Sequence, residues 1–259
     1  DLTVTGVQTC ALPIFITESP NAVEVPCDHF GVCGGCRVQN LSYNEQLKEK
    51  SNQVEDAFRR LGGFQEFTLD HVVGADPIFY YGHKMEFTFS PKRWVLDAEP
   101  EGVERDFAVG LHITGKNGKI LDIKDCHIQP IIGNKILKVA RDVCLAHPDL
   151  KPYNPKTHIG FLRFLMLRFG VNTNQIMVNL VTAYDDINKL SPLIDALLEQ
   201  VPEITSMVNN VNTRKADVAF GEFETLVFGE PFIQETIGDL TFEISDRKST
   251  RLNSSHSEI

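Results

Sequence analysis

Apolar residues first recur at helical spacing after residue 42, where Leu47, Val54, Phe58 and Leu61 fall on one face. Ser42 precedes them as an N-cap with Glu45 three residues on, a capping box, and Gly62-Gly63 stops the helix. From Tyr81 the period shortens to two. Met85, Phe87 and Phe89 alternate with Glu86, Thr88 and Ser90, and similar runs at 106–113, 119–124, 161–170 and 174–183 predict further strands, read as antiparallel. Gly115 to Gly118 and Asn172 to Asn174 suit the tight reversals between them. Helical spacing returns at 131–146 (Ile132, Ile136, Val139, Val143) and at 186–200 (Ile187, Leu190, Ile194, Leu197, Leu198), and a last set of short strands runs from Ile204 to Ile244. Strands followed by a helix, twice over, predict an α+β fold.

The two ends fit neither period. The stretch DRKSTRLNSSHSEI is rich in Ser, Arg and Asn and reads as a disordered tail; it and GVQTCALPI resemble translated sequencing-adapter fragments. The expected division is therefore 1–14 and 246–259 as non-native segments, 15–75 as a cysteine-bearing loop with its helix, and 76–245 as a central α+β domain. Cys10 then belongs to no site. No apolar run of 18 residues is present, and DLTVTG lacks the basic start of a secretory signal, so the expectation is a cytoplasmic protein without a membrane partner.

A net charge of −10 argues against nucleic-acid binding by bulk attraction. A local basic face on an acidic body is still compatible with it: Lys92-Arg93, Arg163 with Arg168, and Arg214-Lys215 could supply one, although a solvated face is the commoner meaning of any single pair.

The cysteines change the picture more. Five residues separate Cys27 from Cys33 and two separate Cys33 from Cys36, while eighty-nine lie between Cys36 and Cys126. In a reducing compartment four such thiols are free to bind metal. An iron-sulfur cubane takes one thiolate per iron, and Gly31, Gly34 and Gly35 would let backbone amides approach its sulfides. Zinc serves the spacing equally well, with His29 or His127 able to replace a thiolate, and unligated thiols stay open as a third reading. Cys144 sits on the apolar face of its helix with Val143 and Ala140 and reads as a small buried hydrophobe.

The phrase CDHFGVCGGCRVQNLSYNEQLKEK closely resembles the cluster motif of the 23S ribosomal RNA uracil-5-methyltransferases, with Cys36, Gln39, Tyr43, Gln46 and Leu47 at matching places. The likeness continues through YYGHKMEFTFS, where Gly82 and His83 depart from the family's pattern, then through DCHIQ and FGEPFIQETIGDLTFEIS. It covers nearly all of Val25 to Ser245. This resemblance implies a 4Fe-4S cluster on Cys27, Cys33, Cys36 and Cys126, 23S ribosomal RNA as partner, a monomer, and S-adenosylmethionine as methyl donor of the parent enzyme, whose chemistry adds a thiolate to C6 of a flipped uracil and methylates C5. The family's later phrases, a glycine-rich cofactor strand, a catalytic cysteine and a glutamate base, do not follow. The expectation is thus that the Rossmann-like methyltransferase domain is absent and the chain alone inert. Lys84, Arg93, Arg163 and Arg168 are candidate contacts to RNA phosphates. Two other classes compete: a zinc-stabilised binding module without enzymatic parentage, and an electron carrier. If the helix at 42–61 loses its partner, its stripe is expected to lie exposed and promote aggregation.

Overall fold

The computed structural model describes residues 19–215, 219 and 221–245. The expectations for 1–14, for 246–259 and for Cys10 lie outside the described residues. The chain forms two compact units, one from Asp1–Val25 with Val38–Gly74 and the other from Pro26–Arg37 with Ala75–Ile259.

In the first unit, helix α1 (Tyr43–Asp56) runs on into one π-helical turn, Ala57–Leu61. The expected capping box does not form. Ser42 makes no side-chain cap bond, and Glu45 pairs instead with Lys48 at 3.0 Å. The helix start is held by Gln46, whose Nε2 donates to the carbonyls of Leu41 at 2.8 Å and Val38 at 2.9 Å. No residue of α1 is buried.

The second unit is built on a seven-stranded sheet. Its strands are β1 (Lys84–Ser90), β2 (Ala108–Ile113), β3 (Lys116–Asp122), β4 (Leu162–Gly170), β5 (Gln175–Thr182), β6 (Ser206–Val211) and β7 (Phe223–Gly229), in the order β3-β2-β1-β4-β5-β6-β7. Helices α2 (Ile131–Ala146) and α3 (Ile187–Gln200) supply Ile136, Leu137, Leu193 and Leu197 to the main core, where Phe87, Phe89, Leu165, Leu167 and Val178 of the sheet meet them. A smaller cluster of Phe164, Met166, Val181 and Ala219 forms separately; by strand alternation it lies on the opposite face. Five of the six strand pairings are antiparallel, but β5 and β6 run parallel, with α3 as the crossover between them. The α+β expectation of an antiparallel sheet is thus corrected to a mixed sheet containing a β-α-β unit. A parallel pair needs such a crossover.

Strands β8 (Phe232–Ile237) and β9 (Leu240–Ser245) form a separate hairpin. One buried carboxylate ties it to the β4–β5 turn: Glu235 accepts from the backbone N–H groups of Val171 at 2.6 Å, Asn172 at 3.1 Å and Thr236 at 2.8 Å. Burial pulls the Glu235 carboxyl up, but these three donors and nearby His83 more than offset it, and its pKa lies below the ordinary value. Among the described residues no helix is long and apolar enough to cross a membrane.

Candidate metal centre and the cleft beside it

The three-cysteine loop belongs to the second unit and docks on the end of β2. Gly34 N–H donates to the His112 carbonyl at 2.9 Å, Thr114 N–H donates to the Val32 carbonyl at 3.0 Å, and Cys33 bridges Ile113 in the manner of a strand. A side chain at position 34 would stand 2.9 Å from the His112 oxygen, so only glycine lets the backbones meet this closely. Within the loop, Phe30 N–H donates to Cys27 O at 3.1 Å, Cys33 N–H to His29 O at 2.9 Å, and Gly35 N–H lies 3.4 Å from Cys33 Sγ.

Cys126 arrives from the connection between β3 and α2. Asn134, in the first turn of α2, clamps its backbone: Cys126 N–H donates to Asn134 Oδ1 at 2.9 Å, and Asn134 Nδ2 donates to Cys126 O at 3.2 Å. One side-chain contact links the two cysteine segments, Lys124 N–H donating to His29 Nε2 at 3.1 Å. Burial is the main cause that lowers the His29 pKa, which favours the neutral ring that such an acceptor requires.

Two of the four expected ligands feel the others, though burial is the larger influence on each. Burial pushes the Cys27 thiol up, with Cys126 and Cys36 adding to it against the backbone N–H groups of His29 and Phe30. Cys33 is raised likewise, by burial first and then by Cys126, Cys36 and Cys27, while Gly35 N–H opposes. All four thiols are free of disulfides. Among the described residues, however, no group of three or more His, Cys, Asp or Glu side chains is arranged to hold a metal ion. A lone tetrahedral zinc would draw thiolates to about 2.3 Å from one centre. Thiolates on the corners of a cubane stand farther apart, so the donor set is compatible with a polynuclear group through its chemistry and not through a preformed single-ion cage. One ring nitrogen of each imidazole considered for zinc is engaged, His29 Nε2 accepting from Lys124 N–H and His127 Nδ1 lying 3.2 Å from the Tyr80 hydroxyl, which leaves the other ring nitrogen of each as the one a metal would use.

Beside this centre lies an open cleft of about 840 Å³, walled by Tyr80, Trp94, Leu96, Lys124, Asp125 and His127 among others, with no cysteine in its lining. Arg93 borders it, locked to Glu99 by two bonds of 2.9 and 2.7 Å and to Glu104 O at 3.0 Å. The Arg93 bond and Leu96 N–H hold the Glu99 carboxyl at a pKa of about 2.

The other expected RNA contacts scatter. Lys84 faces Arg168 across the β1–β4 register and pairs with Glu86 at 3.3 Å. Arg163 is 2% exposed, its Nη1 donating to the carbonyls of Asn212 at 2.8 Å and Arg214 at 2.6 Å, with its guanidinium 4.4 Å from the Tyr153 ring centre. That placement suits bracing of the fold and not a phosphate contact. Gly82 and His83 have structural reasons: Gly82 N–H reaches Ile128 O at 2.7 Å, leaving 3.0 Å for any Cβ, and His83 lies 3.8 Å from Glu235. Sequence reasoning missed Asn134, Tyr80 and Trp94; only the position of Asn134 eight residues after Cys126, in a helix's first turn, hinted at one of them.

No family model matches the chain. It is 36% identical over 248 residues to an uncharacterized RNA methyltransferase of Chlorobaculum tepidum, covering 94% of this chain and 51% of that protein. An uncharacterized RNA methyltransferase of Porphyromonas gingivalis is 35% identical, with 92% and 53% covered. The chain spans about half the length of the curated relatives it matches. Its fold is similar to the crystal structure of Pyrococcus abyssi tRNA (uracil-54, C5)-methyltransferase in complex with S-adenosyl-L-homocysteine, with TM-score 0.61 and 25% identity over 89% of this chain and 47% of that one. The expectation that a Rossmann-like methyltransferase fold is absent is corrected by this likeness together with the seven-stranded mixed sheet.

Proposed function

We propose that the chain is a cluster-binding, RNA-recognising portion of an RNA uracil-C5 methyltransferase, with Cys27, Cys33, Cys36 and Cys126 holding a 4Fe-4S cluster and 23S ribosomal RNA as its substrate class. The observation that carries the reading is the placement of four disulfide-free cysteines, three on a loop seated on the end of β2 and one held by Asn134 after β3. Support for the methyltransferase part comes from relatives so named over half their length. In this reading S-adenosylmethionine is the methyl donor.

Bound there, the cluster supplies an inorganic cross-link between the segments and a centre able to accept an electron. The chain's own groups do the positioning. Gly34 seats the loop on β2, Asn134 fixes the Cys126 backbone, and His29 fastens one segment to the other. Lys84 and Arg168, neighbours across β1 and β4, are the phosphate contacts this reading retains.

Purification without oxygen tests it. About four irons and four sulfides per chain are expected, with loss of both when Cys126 is changed to Ser. Zinc near one per chain without iron would replace the reading with a zinc-stabilised module. Neither metal would leave the thiols as ordinary cysteines.

A further inference from the structure

The cleft beside the cysteines has a chemistry of its own. Trp94, Leu96, Leu121 and Ile131 give it an apolar wall, and Tyr80 with His127, ring centres 5.8 Å apart, gives it an aromatic one. Its size falls within the range of small-molecule pockets, which run to roughly 1,000 Å³. Two of its charged groups are neutralised by near partners, Arg93 by Glu99 and Asp122 by Arg141 at 3.0 Å. Among the lining residues Lys124 is then set against both Asp28 and Asp125, while Lys116 Nζ stands 4.7 Å from the Trp94 ring centre.

The two carboxylates suit a stacked heterocycle whose edge donates hydrogen bonds. Unstacked RNA bases are held between aromatic side chains and read along their edges, and carboxylates accept from exocyclic amino groups. Cytosine, adenine and guanine carry such an amino group, whereas uracil presents carbonyls and a single N–H. We infer that this cleft binds an amino-bearing nucleobase splayed out of the RNA, a base other than the uracil to be methylated. The inference rests on the RNA-recognition reading above.

Trp94 is the single tryptophan of the chain, so its fluorescence reports on this cleft. In the full chain, purified without oxygen, cytidine, adenosine or guanosine should quench it, uridine at equal concentration should not, and a 5′-phosphate should not strengthen binding. In anisotropy titrations with a labelled single-stranded RNA rich in cytidine, Trp94→Ala should weaken binding roughly tenfold and Trp94→Phe should restore it. Asp28→Asn and Asp125→Asn should erase the preference for cytidine over uridine at unchanged iron content. Silence of Trp94 toward every nucleoside, equal response to uridine, or tighter binding of the phosphate overturns the proposal. If RNA binds with a normal salt dependence while Trp94 stays silent, the cleft assignment alone fails. If nucleosides quench with the expected preference but no RNA binds, the RNA reading fails and the cleft stands as a nucleoside site.

Discussion

At the scale of the residue, neighbouring charge distinguishes the cysteines. Burial alone pushes the Cys144 thiol up to about 12. A raised thiol pKa keeps the group neutral until pH climbs to that value, and the neutral thiol is a poor nucleophile. Iodoacetamide at mildly alkaline pH should therefore spare Cys144 in the native chain and modify it after unfolding, as peptide mapping would show; modification at equal rates in both states would refute its burial. His29 is the second test. His29→Phe leaves the exposed Lys124 N–H without its protein acceptor, a loss of about 0.5–1.5 kcal/mol for a typical hydrogen bond, and His29→Gln offers a carbonyl in its place. Iron retention against a chelator should fall for Phe and recover for Gln. Some residues were readable in advance and some were not. Phe87 and Phe89 announced themselves by alternation, but Arg163 sits where pairing between β4 and β5 slips between Leu162 and Phe164, and a charge in a period-two run looks solvated until such an irregularity turns it inward. The capping box failed for a related reason. Gln46, one position beyond the expected Glu45, takes the backbone carbonyls at the helix start.

At the scale of the element, one buried carboxylate is among the ties that hold the β8–β9 hairpin to the β4–β5 turn, beside Asn172 Nδ2 donating to Thr236 O at 2.7 Å and Gln234 N–H donating to Gln175 Oε1 at 2.6 Å. Glu235 is 5% exposed, and replacing it with Ala would strand the N–H groups of Val171 and Asn172. Hydrogen exchange at those two amides should accelerate in Glu235→Ala while the β5–β6 ladder stays protected; unchanged exchange would mean the hairpin is held by other contacts. The sign with pH follows from the depressed pKa. Its contribution is present above the ordinary carboxylate value and is lost as pH falls through the lower folded value, so acid should weaken the hold on Val171 and Asn172. Helices α2 and α3 were legible from their apolar spacing. The direction of β6 was not. SMVNNV is buried at every position, Asn209 and Asn210 included, so it shows neither the alternation of a half-exposed strand nor the apolar run of a core strand. Asn209 earns its place by donating to Leu180 O at 2.7 Å and Thr182 Oγ1 at 3.1 Å on the parallel neighbour, a pairing only the fold brings about.

At the scale of the whole molecule, the first unit carries Val54, Phe58 and Leu61 exposed, Leu61 at 89%. Such a stripe favours association. Light scattering should show concentration-dependent self-association that Phe58→Ser with Leu61→Ser relieves; a monodisperse wild-type chain at high concentration would count against it. The docking of the cysteine loop on β2 also dictates an order of events during synthesis. Cys27, Cys33 and Cys36 leave the ribosome before the surface they seat on, since seventy-six residues lie between Cys36 and Ile113, and eighty-nine lie between Cys36 and the fourth thiol, Cys126. For that interval the nascent chain trails three reactive sulfurs with nowhere to settle. If the proposed cluster forms, its receptor is complete only once translation has passed α2, and a pause before that point would prolong exposure of the first three cysteines to oxidants.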